Sequence, residues 1–138
     1  MIAYLDASVV LRLVLGQPDR LKEWRKIDHA VTSGLTEVEC LRTLDRRARQ
    51  GRLEEADLAE RRGLTLELLE RIDLVEVGPS VLRRARDPFP TPLGTLDAIH
   101  LATALLWAAS RREPVTVATH DAELARAARS MGLGVVGV

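Results

Sequence analysis

Four acids stand at the starts of apolar segments that are far apart in the chain: Asp6, Glu39, Asp97 and Asp121. Singly, each suits capping. Asp6 and Asp121 can cap the helical patterns that follow them, Asp97 complements the positive end of a helix dipole, and Thr36 with Glu39 has capping-box spacing. Capping does not explain why four separate segments each bring an acid to a position that can face one cleft. Gathered carboxylates repel one another and resist ionisation unless a cation neutralises them. Hard oxygen donors, with a single cysteine and no paired histidines nearby, suit Mg2+ or Mn2+, whereas zinc favours nitrogen or sulfur. One or two such ions would supply an activated water and stabilise the leaving oxygen, which is the chemistry of phosphodiester hydrolysis.

The elements that must position these acids alternate. Ile2 to Leu5 reads as a strand and Val9 to Leu15 as a helix. Leu21, Trp24 and Ile27 predict an amphipathic helix over Asp19 to Ile27, and His29 to Thr32 a second strand. Leu35, Val38, Leu41 and Leu44 recur every three residues in a surface-packed helix that runs to Gly51. Leu53 to Arg71 continues as a helical arm or hairpin that Gly51 and Gly63 can break. Leu74 to Val77 is then a strand, followed by a helix from near Ser80. Three prolines make Asp87 to Gly94 a loop, with Thr95 placed to cap a helix over Leu96 to Ser110. Val115 to Ala118 (strand), Asp121 to Met131 (helix) and Val135 to Val138 (strand) close the chain. This order predicts a parallel sheet between two helical layers, with ligands beyond the carboxyl ends of the strands. Those ends are where Asp6 and Asp121 fall.

Tyr4-Leu5-Asp6-Ala7-Ser8 opens the chain, and Leu35-Thr36 with Glu39 and Arg42 lies in the middle. Leu96-Asp97-Ala98-Ile99-His100-Leu101-Ala102 is the most specific segment, and Thr119-His120-Asp121 precedes Leu124-Ala125 and Gly132. Through these anchors nearly the whole chain resembles the PIN-domain ribonucleases, and within them the VapC-type toxins of type II toxin–antitoxin pairs. The resemblance implies a PIN-like three-layer α/β/α sandwich with a central parallel sheet of about five strands. It also implies a metal-dependent endoribonuclease using Mg2+ or Mn2+, a homodimer, and a cognate antitoxin that occupies or distorts the acidic cleft. Asp6, Glu39, Asp97 and Asp121 would bind metal, and Ser8 and Thr119 would orient ligands or bound water. Some relatives carry a further acid three residues beyond the closing aspartate, where this chain has Leu124, with Glu123 adjacent. The RNA expected by this resemblance is a structured one such as a transfer RNA.

Length and composition set the frame. The 138 residues fit one domain, 1–138, and 46% hydrophobic content can fill its core. The lone Cys40 excludes an internal disulfide and points to a reducing, cytoplasmic setting. The N-terminal segment does not read as a signal peptide, and Ala98 to Ala109 is too short to cross a membrane. Zero net charge makes any nucleic-acid contact local, and 3% aromatic residues leave no platform for stacking bases.

Several residues admit two readings. Arg42 is spaced to pair with Glu39 or to meet a phosphate, while Arg46, Arg47, Arg49 and Arg52 form either a solvated face or a phosphate-binding stretch. His100 reads as a packed side chain rather than a proton donor, His120 points away from its neighbours, and His29 has no visible partner. Cys40 reads as a small buried side chain, Trp24 and Trp107 as core or dimer surface, and Leu53 to Leu69 as core or a partner groove. Two other functions compete with the nuclease. A catalytically silent partner-binding module would keep the fold without needing all four acids. An aspartate-based phosphatase would want an acid at position 8, where Ser8 stands.

Overall fold

The computed structural model describes residues 1–138. Strand β1 (Ile2–Leu5) has Ala3, Tyr4 and Leu5 fully buried, as expected of a strand covered on both faces. Ala3 and Leu5 point to one layer, and Tyr4 to the other. Helix α1 (Ala7–Val14), β2 (His29–Ser33), α2 (Gly34–Arg49) and α3 (Glu55–Leu69) follow. Then come β3 (Asp73–Val75), α4 (Pro79–Arg86), α5 (Thr95–Arg111), β4 (Thr116–Ala118), α6 (Ala122–Ser130) and β5 (Gly134–Val136).

All five strands are parallel, in the order β3-β2-β1-β4-β5. The chain builds outward from β1 to one side and then returns to build the other. The order therefore reverses between β1 and β4, where connections diverge and leave a crevice. Leu5 is level with both Thr32 and Ala118, and the Asp6 amide donates to the Ala118 carbonyl at 3.0 Å. Val9, Val10, Cys40, Leu69 and Ile72 pack under Ala3 and Leu5, while Leu101, Trp107, Leu124 and Ala127 pack around Tyr4, Val31 and Val117. This is the expected three-layer α/β/α sandwich.

Four local expectations are corrected. The Asp19 to Ile27 segment forms only a 3-10 helix over Lys22–Lys26, whose i, i+3 eclipsing suits the three-residue spacing of Leu21, Trp24 and Ile27. Gly63 leaves α3 unbroken, because one mid-helix glycine costs only about 1 kcal/mol and packing outweighs it. Gly51, at φ +69°, does end α2. Thr95 is the first residue of α5 and Gly94 its cap, with no side-chain hydrogen bond. His29 does have partners: Asp73 at 2.7 Å, and the Trp107 ring edge-on at 5.6 Å.

Candidate functional site

Asp6 stands where β1 becomes α1, and every hydrogen bond to its carboxylate falls on one oxygen. Oδ2 accepts from the Ser8 hydroxyl at 2.6 Å, the Ser8 amide at 3.4 Å and the Thr119 hydroxyl at 2.9 Å. Those hydroxyls are themselves held, Ser8 Oγ by the His120 amide at 3.0 Å and Thr119 Oγ1 by the Asp121 amide at 2.9 Å. The end of β4 thus fixes the orientation of an acid at the end of β1. Asp121 caps α6, its Oδ1 accepting from the Glu123 and Leu124 amides at 2.8 and 2.9 Å. Leu124 is fully buried and Glu123 exposed.

Glu39 arrives from α2. Ser33, not Thr36, caps this helix through the Leu35 amide at 3.1 Å, so the expected Thr36–Glu39 capping box does not form. Thr36 instead bonds the Thr32 hydroxyl at 2.8 Å inside the core. Glu39, one turn further in, reaches across to α5, where His100 Nε2 lies 2.5 Å from its Oε1. Arg42 does not pair with Glu39; it makes no hydrogen bond or ion pair and is exposed.

His100 is packed as expected and has no exposed surface, yet it is the hub of the acids. Its Nδ1 lies 2.7 Å from the Tyr4 hydroxyl, and its Nε2 is also 3.7 Å from Asp6 Oδ1. The signal for this lay in two periods. Tyr4 and Asp6 alternate onto one face of β1, and Asp97 and His100, three apart, share one face of α5. Burial opposes protonation of His100, but the hydrogen bond to Glu39 and the charges of Asp6, Glu39 and Asp97 outweigh it and raise its pKa. Burial, reinforced by Asp6, also pushes the Tyr4 phenol up, while the Thr103 and Ser33 hydroxyls oppose that rise. Cys40 is inert as expected: burial, then Glu39 and Asp6, push its thiol up to about 12. His120 turns away from the acids, its Nδ1 bonding the Gly137 carbonyl at 2.7 Å. Gly137 has to be glycine, because its φ is +100° and a Cβ there would sit 2.4 Å from the Thr119 carbonyl.

Asp97, at the start of α5, has no internal hydrogen bond. Burial first, then the charges of Asp121, Asp6 and Glu39, push its carboxyl up to about 6, against a smaller lowering by His100. The donor set fits a hard divalent cation. Asp6 Oδ1, Glu39 Oε2, Asp121 Oδ2 and both Asp97 oxygens accept no hydrogen bond, Asp6 Oδ1 having only His100 Nε2 at 3.7 Å, while the second oxygen of Asp6, Glu39 and Asp121 locks its carboxylate in place. No three of these side chains enclose an ion as they stand. Mg2+ needs no such enclosure, because it keeps several waters and is held by one or two carboxylates.

The sign of the Asp97 shift gives a stability prediction. Below the ordinary value of 3.8 the group is protonated folded or unfolded, and between there and about 6 the folded chain holds the extra proton. Asp97 therefore favours folding at low pH and loses that contribution as pH rises through about 6. Asp97→Asn is expected to melt higher than wild type at pH 7.5 without metal, with the gap closing by about pH 4. Added Mg2+ should stabilise wild type and leave the variant unmoved. Melting curves across pH check both, and a gap that persists at low pH would contradict them.

The PIN domain family model matches residues 3–130. Ribonuclease VapC46 of Mycobacterium tuberculosis is 32% identical over 136 residues, which cover 96% of this chain and 95% of its own length. Ribonuclease VapC35 of the same species is 34% identical over 140 residues, covering 96% of this chain and 94% of its own. A toxin–antitoxin complex from Klebsiella pneumoniae shares the fold, with a TM-score of 0.63 at 17% identity over 97% of this chain and 95% of that one.

Proposed function

The chain belongs to the PIN domain family, and from that premise we propose that it is a metal-dependent endoribonuclease, the toxin of a toxin–antitoxin pair. The observation that carries the reading is the meeting of acids from four segments at the strand ends. Ser8 and Thr119 hold Asp6, His100 Nε2 lies against both Asp6 Oδ1 and Glu39, Asp97 stands one turn before His100 on α5, and Asp121 follows Thr119. Burial and the neighbouring acids push the Asp97 carboxyl up to about 6, and a bound divalent cation would act in the opposite direction. Bound Mg2+ or Mn2+ would lower the pKa of a water and neutralise charge developing on the scissile phosphate.

The chain's own residues do the rest. Asp6, Glu39, Asp97 and Asp121 are the metal-binding acids. Ser8 and Thr119 fix which oxygen Asp6 presents, and His100 does the same for Glu39. Arg42, unpaired one turn beyond Glu39, would meet the substrate phosphate. Leu124 in place of a fifth acid is buried, so Asp121 stands alone at the end of β4. The same reading includes a cytoplasmic setting, a homodimer and a cognate antitoxin that covers the acids. No helix is long and apolar enough to cross a membrane.

The test is cleavage of a mixed RNA pool by antitoxin-free protein in Mg2+, Mn2+ or chelator, beside Asp97→Asn purified identically. Cleavage is expected with either metal and is expected to vanish in chelator and in the variant. Equal cleavage by the folded variant would refute the site assignment.

A further inference from the structure

Helix α2 leaves the acids carrying a line of cations. At 100° per residue, Glu39, Arg42, Arg46 and Arg49 fall within about 80° of one another, with Glu39 partly buried and the three arginines exposed. Arg42, Arg46 and Arg49, with Asp45, line one surface groove of about 350 Å³. Asp45 bonds Arg49 Nε at 3.0 Å, and Arg46 reaches only the Thr43 hydroxyl at 3.3 Å. One carboxylate thus faces three guanidiniums, most of whose N–H donors point to solvent. Of the other arginines in this stretch, Arg47 is half-buried on another side and Arg52 lies past the helix end.

We propose that Arg42, Arg46 and Arg49 form a phosphate ladder that holds single-stranded RNA beside the scissile bond and leads it along α2 to the acids. The inference rests on the nuclease reading. Successive rungs lie about 4.5 to 6 Å apart along the helix axis, of the order of the phosphate repeat in an extended strand. The first rung is one turn from Glu39, so a phosphate at the acids places its neighbours over the arginines. With aromatics at 3% and net charge at zero, the strand has to be held by its backbone, through a local cationic track. Guanidiniums suit this task because they bind phosphate oxygens bidentately.

The experiment compares wild type with Arg42→Gln/Arg46→Gln/Arg49→Gln, its all-lysine counterpart, the single Arg42→Gln, and a charge-matched control, Arg62→Gln/Arg71→Gln/Arg129→Gln. Cleavage of an unstructured RNA oligonucleotide gives kcat and KM, and binding in chelator gives the salt dependence. The triple variant is expected to raise KM at least about tenfold with kcat within about twofold. Its slope of log affinity against log salt should fall by about 2, at about 0.7 per phosphate released. Arg42→Gln alone should show a smaller KM rise, lysines should restore most of the slope, and the control should match wild type. Unchanged KM and slope in a protein that cleaves RNA would overturn the ladder and leave the nuclease standing. A wild type that neither binds nor cuts RNA in any metal would remove both. Polyglutamate binding lost in the triple variant, with RNA kinetics intact, would overturn the ladder in favour of an acidic peptide at this face.

Discussion

Asp6→Asn is expected to fold normally and to lose metal-dependent RNA cleavage by about a hundred- to a thousandfold, the cost of removing one charge-stabilising group from an active site. Folding should survive because asparagine caps a helix as well as aspartate does. Its amide oxygen can accept from Ser8 and Thr119 as Oδ2 does now. The amide nitrogen then takes the place of Oδ1, presenting N–H donors where a cation needs lone pairs. Metal-free stability should hold or rise, since one of the charges that push Asp97 up is gone. Single-turnover cleavage, metal titration by calorimetry and a melting curve on one preparation separate these effects. Cleavage within about tenfold of wild type would remove Asp6 from the metal site.

The second large effect is expected at His100. His100→Ala opens a cavity and leaves the Tyr4 hydroxyl and Glu39 without their partner. Losing buried side-chain volume and an inward-facing hydrogen bond together costs about 3 kcal/mol or more. Tyr4→Phe removes only the 2.7 Å bond to His100 Nδ1 and should cost about 1 kcal/mol. The two also differ in function: His100→Ala frees Glu39 to swing and should weaken metal affinity about 10- to 100-fold, as loss of an outer-shell partner does, whereas Tyr4→Phe keeps the Glu39 bond. Denaturant melts and metal titration of both variants check this. Equal metal affinity in His100→Ala and wild type would reduce His100 to a packing residue.

The layer order and the places of the four acids were legible in the sequence because both follow from local rules. Period-2 burial and β-then-α alternation define a parallel sheet, and an acid directly after an apolar strand falls at its carboxyl end. What escaped were contacts between distant segments. Arg42 has the right spacing to pair with Glu39, yet Glu39 bonds a histidine 61 residues away on another helix. Thr36 and Glu39 have capping-box spacing, but the strand runs into α2 without a loop, so Ser33 takes the cap and Thr36 turns into the core. His29 looked solitary because Asp73 and Trp107 reach it only through sheet pairing and helix packing. Spacing specifies what a residue can reach along its own element, and the sheet decides which elements compete for it.

The bond from Thr119 to Asp6 joins residues 113 apart. The carboxylate at the end of β1 therefore takes its full set of partners only when β4 pairs beside it. Before that pairing, only Ser8 is close enough along the chain to bond Asp6 Oδ2, and Asp121 has not been brought to the strand ends. The setting of this one carboxylate thus reports that the sheet has closed around β1, and any loosening of the β1–β4 pairing is felt first at Asp6.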